Sequence, residues 1–227
     1  MSEANLIPGT VALIPAAGGG IRLGQGPKAF LEIGKKSLVK HVVDLMSQRV
    51  ERILVAVPED HVALARAQFE GRAEVHPGGA TRLSTIAGLL AQCSESLVVI
   101  HDAARPFTSV EVLSRVIEEA AVHGAAAACR TMTVPTAIIE NGFAKSSVPP
   151  SRGRFFETPH AYQRSILEKT FRYVRENAVA DEPLCDLVMS LGTPIRVVAD
   201  TEWNFKITTP LDWEIAVKVV GPMLGMG

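Results

Sequence analysis

The sequence predicts an α/β fold: a Rossmann-like, mostly parallel twisted sheet with helices on both faces and a protruding β-arm. Strand-like apolar runs alternate with amphipathic segments up to residue 131, a pattern typical of right-handed βαβ units. The first run, residues 10–15, is followed at once by a cluster of glycines. After residue 134 the alternation gives way to two short apolar arms around Asn141-Gly142, which is the strongest short signal for a hairpin.

Each element follows from its own spacing of apolar residues. The predicted strands are 10–15, 51–57, 73–76, 96–101, 125–131 and 194–199. The predicted helices are 37–48, 59–69, 81–93, 109–123, 163–177 and 183–191. Ser109 is the expected N-cap of its helix. Thr209, followed by Pro210 in the first turn, is expected to open the last helix.

Composition limits the classes of function. With 227 residues, 47% of them apolar, the chain is expected to form one domain over residues 1–227, with 134–153 as a β-arm. A net charge of −1 leaves no broad basic face for nucleic acid. No apolar run approaches the ~20 residues that span a bilayer, and the first residues lack the features of a signal peptide. Cys93, Cys129 and Cys185 are odd in number and widely spaced, which favours a reducing, cytoplasmic setting without a zinc site.

The glycine cluster predicts a phosphate-binding loop. Gly18, Gly19 and Gly20 are followed by Arg22 and then by Lys28. Glycine backbone N–H groups can wrap a polyphosphate, while Arg22 adds a planar fork of donors and Lys28 a compact charge. Both cations suit the charge that develops when a phosphate is attacked. The alternative is a flexible turn with incidental charges.

Two common glycine motifs do not fit this loop. A P-loop requires a glycine five residues before its Gly-Lys pair, but Ala29 holds that place before Gly34-Lys35, and Lys36 stands where Ser or Thr should follow. The dinucleotide fingerprint requires a third glycine where Leu23 stands. The loop therefore belongs to neither class.

Three motifs resemble one known family. These are Ala16-Ala17-Gly18-x-Gly20-x-Arg22, Pro27-Lys28 and His101-Asp-Ala-Ala-Arg-Pro106. Together they resemble the 2-C-methyl-D-erythritol 4-phosphate cytidylyltransferases of non-mevalonate isoprenoid synthesis, whose near relatives are the ribitol-5-phosphate cytidylyltransferases. The resemblance runs from about residue 12 to residue 217. It implies CTP and a polyol phosphate as substrates, Mg²⁺ as the metal, and a homodimer built by the arm.

The resemblance also assigns a nucleotide site. Its members are Ala16, Ala17, Gly18, Gly19, Gly20, Gly78, Gly79, Ser84, Asp102 and Ala103. Ser84 is preferred to Thr85 as the base-reading hydroxyl because it keeps the distance to Gly88, although the spacing from Arg82 is one residue short. The alternative for this segment is a loop that only caps the following helix.

Asp102 and Lys206 complete the predicted chemistry. Asp102 ends an apolar run, and its hard oxygens suit Mg²⁺, which usually takes one or two carboxylates plus substrate phosphates. Lys206 stands between apolar neighbours in Asn204-Phe-Lys-Ile-Thr208. Because those neighbours should face the core, Lys206 should point toward the site and act with Arg22 and Lys28; the alternative is an exposed strand lysine. His101 is expected to be structural, and Asp181-Glu182 structural or supporting.

The resemblance assigns the acceptor to Asp102, Arg105, Thr136 and Arg152, with Arg154 as a rival for the last place. Arg105 could instead order its loop or pair with a nearby acid. The family's Asp-Thr-x-Lys is here residues 135–138, Pro-Thr-Ala-Ile, and its Thr-Pro-Gln is residues 158–160, Thr-Pro-His. Methylerythritol phosphate is the leading acceptor, and another polyol phosphate is the alternative.

Three functions therefore compete. The first is a Mg²⁺-dependent cytidylyltransferase acting on CTP and methylerythritol phosphate. The second is a ribitol-phosphate or other sugar-phosphate nucleotidyltransferase. The third is a nucleotide-binding regulatory protein, against which the joint presence of Arg22, Lys28, Asp102 and Lys206 speaks, because a sensor needs affinity and not a full set of charges around a reacting phosphate.

Overall fold

The computed structural model of the protein describes residues 6–18 and 26–226. Its strands are β1 Ile7–Pro15, β2 Glu32–Ile33, β3 Lys36–Ser37, β4 Val50–Val57, β5 Glu74–Pro77, β6 Leu97–Ile100, β7 Ala125–Thr131, β8 Thr136–Glu140, β9 Phe143–Val148, β10 Arg154–Gln163 and β11 Arg196–Ala199. Its helices are α1 Leu38–Met46, α2 Val62–Phe69, α3 Arg82–Leu90, α4 Val110–His123, α5 Arg164–Glu176, α6 Leu184–Ser190, α7 Pro210–Ile215 and α8 Gly221–Met223.

Within the described residues, seven of these strands form one sheet in the order β11-β7-β10-β6-β1-β4-β5. β1 lies between β4 and β6 and is parallel to both. β5 continues the parallel set next to β4, and β11 is parallel to β7. β10 runs antiparallel to its neighbours β6 and β7. The prediction of a mostly parallel sheet is confirmed.

Helices cover both faces of the sheet, as predicted. Side chains of a strand alternate between its faces, and β1 shows both sets. Ala12 and Ile14 belong to the core formed with α1, α2 and α4, whereas Val11 and Leu13 belong to the core formed with α3, α5 and α6. Because both faces are buried, the strand is an unbroken apolar run rather than an alternating one.

β10 is the strand of the seven-stranded sheet that the sequence patterns do not predict, and the short β2 and β3 outside that sheet are not predicted either. β10 carries Glu157, Pro159 and His160 in its middle, and glutamate and proline are depleted from central strands. The structure accommodates them with a register shift between Glu157 and His160 opposite β7. The strand is therefore held by its tertiary contacts and not by its own propensity.

The predicted helix starts are confirmed at two positions. The Ser109 hydroxyl accepts a hydrogen bond from the Val112 N–H at the start of α4. The Thr209 hydroxyl accepts one from the Asp212 N–H, with Pro210 as the first residue of α7. These caps satisfy donors that the first helical turn leaves without a partner.

The predicted hairpin is present as β8 and β9. Asn141 and Gly142 join the two strands with φ angles of 50° and 82°, the backbone that a two-residue hairpin turn requires. Ile138, Ile139 and Phe143 on this hairpin are 49%, 61% and 70% exposed. We call residues 134–153 the arm; its role in dimerisation and the single-domain organisation remain predictions.

Loops that follow three of the strands meet at one edge of the sheet. Residues 16–18 follow β1, residues 78–79 follow β5, and Asp102 follows β6. Ligands of open α/β sheets bind outside the carboxyl ends of the strands, so this edge is where a site is expected. As to membranes, residues 6–18 and 26–226 contain no helix with both the length and the apolar character needed to span a bilayer.

Candidate active site

A cavity of about 350 Å³ opens at this edge of the sheet. Its walls combine loop backbone with charged side chains. The lining residues are Pro15, Ala16, Ala17, Gly18, Lys28, Ala29, Gly79, Ala80, Thr81, Arg82, Thr85, Asp102, Ala103, Ala104, Asp181 and Lys206. The predicted residues Ala16–Gly18, Lys28, Gly79, Asp102, Ala103 and Lys206 are thus brought together. The predicted Gly19, Gly20 and Arg22 lie outside the described residues.

Asp102 is held by two cations. Its Oδ1 accepts hydrogen bonds from Arg82 Nε at 3.1 Å and Nη2 at 2.9 Å. Its Oδ2 accepts one from Lys206 Nζ at 2.8 Å. Burial opposes ionisation of this carboxyl, but the charges of Arg82 and Lys206 outweigh it and hold the pKa of Asp102 well below its usual range. Asp102 is therefore a carboxylate at neutral pH.

Lys206 points toward the cavity, on the side that its apolar neighbours predict. Phe205 and Ile207 pack in a core with Phe107 and Leu38, and the Ile207 N–H donates to the Ala104 carbonyl at 2.9 Å. This pairing places the segment of Lys206 beside the loop that follows Asp102. The core contacts of its neighbours leave the ammonium on the cavity side.

Lys28 reaches the same segment from a distant part of the chain. Its Nζ donates to the Ile207 carbonyl at 2.7 Å. The residue begins a short 3₁₀ turn, Lys28–Phe30, whose Ala29 is buried. Lys28 therefore lines the cavity from a position anchored in the core, close to the Lys206 backbone.

Gly78 and Gly79 are required by close contacts. A Cβ on Gly78 would lie 2.1 Å from the Ala17 Cβ, and one on Gly79 would lie 2.5 Å from Ser84 Oγ. No side chain fits at those distances, so glycine lets the loop after β5 pack against the loop after β1. Gly78 supports the wall from behind, whereas Gly79 forms part of it.

Of the two residues considered for the base-reading hydroxyl, Thr85 lines the cavity and the preferred Ser84 does not. Ser84 is exposed, and its Oγ accepts from the Thr81 N–H and donates to the Thr81 carbonyl. Thr85 Oγ1 accepts from the Gly79 N–H at 2.9 Å and donates to the Thr81 carbonyl at 2.8 Å. Ser84 and Thr81 form the capping box of α3, so the start of the helix fixes which hydroxyl turns inward.

Arg105 was predicted to contact the acceptor, but it lies outside the cavity wall. It is buried, and its Nη1 donates to the Asn204 carbonyl at 2.6 Å and lies 3.3 Å from Glu157 Oε1. Arg130 also donates to Glu157 Oε1, at 3.0 Å. The alternative prediction, that Arg105 pairs with an acid and orders its loop, describes this geometry. The physical reason is the buried Glu157 on β10, which attracts the guanidinium inward.

His101 is buried, as the structural role predicted for it requires. Its Nε2 lies 3.0 Å from the Arg105 carbonyl, and burial lowers its pKa to about 4. His160 is buried beside Cys185 and Tyr162, and burial lowers its pKa to about 3. Both rings are therefore neutral at physiological pH.

These two histidines predict loss of stability in mild acid. Their pKa values in the folded protein lie below the unfolded value of about 6.5, so the unfolded chain binds more protons as the pH falls from 6.5 toward 4. Each histidine should cost roughly 1 kcal/mol of unfolding free energy per pH unit in that window. Urea unfolding at pH 7, 6 and 5 measures the slope.

His160→Gln should lower the slope by about half, because the amide cannot be protonated in this window while His101 still can. His123→Gln is the matched control, since His123 is partly exposed on α4, and it should leave the slope as in the wild type. Equal slopes for the wild type and His160→Gln would contradict the explanation.

Two charged residues of the cavity wall, Arg82 and Asp181, were not among the residues predicted to form it. Arg82 opens α3 and pairs with Asp102, twenty positions away in sequence. Asp181 accepts from the Leu83 N–H through Oδ1 at 3.1 Å, a contact of the supporting kind expected for it, and it also lies in the wall. Arg82 stands three positions after Gly79, inside the segment predicted to bind the base, and that position is the signal that could have pointed to it.

The match to known families covers nearly the whole fold. Residues 10–221 match the family model of 2-C-methyl-D-erythritol 4-phosphate cytidylyltransferase. The chain belongs to this family. Family membership agrees with the three motifs, whose described residues line the cavity or lie next to it.

Relatives of that name are similar over most of their length. The Thermus thermophilus protein is 37% identical over 209 residues, which cover 90% of this chain and 93% of the relative. The Deinococcus radiodurans protein is 34% identical over 222 residues, which cover 96% and 92%. The crystal structure of a cytidylyltransferase of this name from Thermus thermophilus has a TM-score of 0.73 at 32% identity, with 91% of this chain and 96% of that one covered.

Two residues of the arm, Thr136 and Arg152, were assigned to the acceptor by resemblance to the cytidylyltransferases. Neither lies in the cavity wall of its own chain. Thr136 and Arg152 are exposed on the arm. Within the described residues, Arg152 makes no side-chain hydrogen bond or ion pair, whereas Arg154 donates to the Pro150 and Gly153 carbonyls. Arg154 is thus engaged by its own loop, which favours Arg152 of the two.

Proposed function

We propose that this chain transfers the cytidylyl group of CTP to 2-C-methyl-D-erythritol 4-phosphate, giving 4-diphosphocytidyl-2-C-methyl-D-erythritol and diphosphate. The observation that carries the proposal is the convergence of Lys28, Arg82, Lys206 and Asp102 on one cavity in a chain of this family. Nucleotidyl transfer needs positioning and charge stabilisation rather than covalent help from the protein. Such a set of charges meets that need.

In this reaction an oxygen of the acceptor phosphate attacks the α-phosphorus of CTP. The new O–P bond forms while the bond from the α-phosphorus to the bridging oxygen breaks, and diphosphate leaves with that electron pair. Lys28 and Lys206 donate to the non-bridging and leaving oxygens, where charge increases most. Arg22, outside the described residues, is proposed for the same task.

Magnesium fits the donor set of the cavity. Asp102 offers hard carboxylate oxygens, and the described residues contain no group of three His, Cys, Asp or Glu that could hold an ion alone. Triphosphate oxygens would then supply the remaining ligands, as is usual for this ion. When bound, Mg²⁺ neutralises phosphate charge; Asp102 is the residue proposed to hold it.

The base is proposed to lie between the loop after β1 and the loop after β5. Ala16, Ala17 and Gly79 line the cavity there, and backbone groups can tell an amino group from a carbonyl at the 4-position of a pyrimidine. Thr85 acts by holding the Gly79 N–H. Asp102 and Ala103 are proposed to meet the ribose.

A screen of diphosphate release tests the function. CTP and UTP are each offered with methylerythritol phosphate, ribitol 5-phosphate or hexose 1-phosphates. Release with CTP and methylerythritol phosphate at least about 100-fold above every other pair supports the proposal. A preference for ribitol 5-phosphate would favour the alternative that the changed residues 135–138 suggest. No release with any pair would favour the regulatory alternative.

The arm is proposed to pack on a second copy of the chain and to bring Thr136 and Arg152 to the partner's acceptor phosphate. Its exposed Ile139 and Phe143 have no cover within the described part of their own chain, and an isolated two-stranded hairpin is at best marginally stable. A dimer would bury these side chains. It would also explain why the proposed acceptor residues lie outside the cavity of their own chain.

Phe143→Asp combined with Ile139→Asp is expected to give a monomer and to lower turnover at least about 10-fold, because burying two carboxylates in an apolar interface is costly. Light scattering at micromolar concentration gives the mass. Val122→Asp, also a change of an exposed apolar side chain but on α4, should keep both dimer and turnover. A monomeric wild type would contradict the assignment.

A cytoplasmic location is proposed from the thiols. Cys93, Cys129 and Cys185 are buried and free, and burial raises the pKa of Cys129 to about 12 and that of Cys185 to about 11. Three unpaired thiols suit a reducing compartment.

A further inference from the structure

Both carboxylate oxygens of Asp102 are engaged by protein cations, which the reaction alone does not require. Arg82 and Lys206 together engage both oxygens of the Asp102 carboxylate. All three side chains line the same cavity, and Arg82 keeps about a third of its side chain exposed. The carboxylate proposed for the metal is therefore already paired with protein cations.

The charges of this trio add to about +1, with two cations and one carboxylate. A divalent cation that approaches Asp102 alone meets Arg82 and Lys206 and must displace one of them. A triphosphate instead meets three cations, since Lys28 lines the same cavity. The trio therefore attracts a polyphosphate before it attracts a metal ion.

We infer that Arg82 is a further nucleotide-binding residue, which pairs with Asp102 in the ligand-free protein and turns to the triphosphate of the nucleotide when it enters. The inference rests on the proposed function, because the triphosphate is the ligand that draws Arg82 away. The exchange frees Oδ1 of Asp102 only after phosphate has arrived. Nucleotide and metal thus bind as a unit, and the metal alone binds weakly.

The alternative is a static ion pair that only supports the start of α3. A static pair would make Arg82 a contributor to stability alone. Its removal would then lower the melting temperature without weakening the binding of CTP. The two explanations differ in the change of CTP affinity.

The test measures two affinities of the full chain. Mn²⁺ binding without nucleotide is followed by the electron paramagnetic resonance signal of the free ion, and CTP binding without metal by calorimetry. Arg82→Gln should bind Mn²⁺ roughly 10-fold more tightly and CTP roughly 10-fold more weakly than the wild type, the scale of one charge-assisted hydrogen bond. Arg82→Lys keeps the positive charge and loses the planar pair of donors. Its affinities for both ligands should lie between those of Arg82→Gln and the wild type.

Arg52→Gln is the matched control. Arg52 donates to Glu74 through Nε at 2.6 Å and through Nη2 at 2.9 Å, and this ion pair lies outside the cavity wall. Arg52→Gln should bind both ligands as the wild type does. Unchanged or weaker Mn²⁺ binding in a folded Arg82→Gln protein would overturn the inference, as would unchanged CTP binding. Diphosphate release by the wild type, measured alongside, shows separately whether the proposed function holds.

Discussion

Asp102→Asn is expected to lower turnover at least about 1000-fold, the upper range for loss of one group that stabilises developing charge. The amide cannot replace a carboxylate as a ligand of a hard cation. In the wild type, Arg82 and Lys206 both donate to the Asp102 carboxylate within 3.1 Å. In the variant, these two cations face a neutral group. Steady-state rates with CTP and methylerythritol phosphate measure the loss.

Asp44→Asn is the matched control for this variant. Asp44 is also a carboxylate held by several cations, with Lys36 at 2.7 Å, Lys40 at 2.6 Å and Arg72 at 3.0 Å. It lies on α1, outside the cavity wall. Its loss should lower the melting temperature and leave turnover within about two-fold, since surface ion pairs contribute about 0–1 kcal/mol each. Near-normal turnover of Asp102→Asn would contradict the role given to Asp102.

Lys28→Ala is expected to lower kcat about 100-fold or more, the scale of losing one transition-state donor. The ammonium lines the cavity and also donates to the Ile207 carbonyl. If it acts on the reacting phosphate, kcat should fall far more than the affinity for CTP. Initial rates at varied CTP, with calorimetric titration of the same nucleotide, separate the two effects.

Lys35→Ala provides the control, because Lys35 is exposed in the turn between β2 and β3. It should keep the rate of the wild type. A fall of CTP affinity with unchanged kcat in Lys28→Ala would show that Lys28 binds the ground state and does not stabilise the transition state. Melting temperatures of both variants, measured alongside, separate a loss of folding from a loss of catalysis.

The parallel part of the fold could be predicted because its strands are buried on both faces. Runs such as β1 and β4 are apolar over most of their length, and the intervening helices show their own spacing. β10 could not be predicted, since Glu157 and His160 owe their places to contacts with Arg130 and with the Cys185 region. Those partners lie 27 and 25 residues away in sequence, beyond the reach of local patterns.

The absence of β10 from the predicted strands explains why Arg105 was predicted to contact the acceptor. Without β10 there is no buried Glu157, so the sequence alone leaves Arg105 available for an acceptor phosphate. With β10 in place, the guanidinium has a partner at 3.3 Å inside the fold. Arg82 was overlooked for a related reason, because its pairing with Asp102 joins a helix start to a separate strand end.

Lys206 and Thr85 show the two limits of sequence reasoning at the site. The direction of Lys206 could be inferred, because its apolar neighbours Phe205 and Ile207 must face the core. The choice between Ser84 and Thr85 could not, because it depends on where α3 begins. Capping by Thr81 and Ser84 fixes that start and turns Thr85 inward.

Phosphorus-31 NMR of the full chain with CTP, methylerythritol phosphate and Mg²⁺ tests the central claim most directly. The account predicts that the three CTP resonances are replaced, one equivalent per acceptor consumed, by the two coupled resonances of a diphosphate diester and by free diphosphate. Omitting the acceptor should leave the CTP signals unchanged. A spectrum that stays unchanged with the acceptor present, or that shows CDP formed by loss of the γ-phosphate, would contradict it.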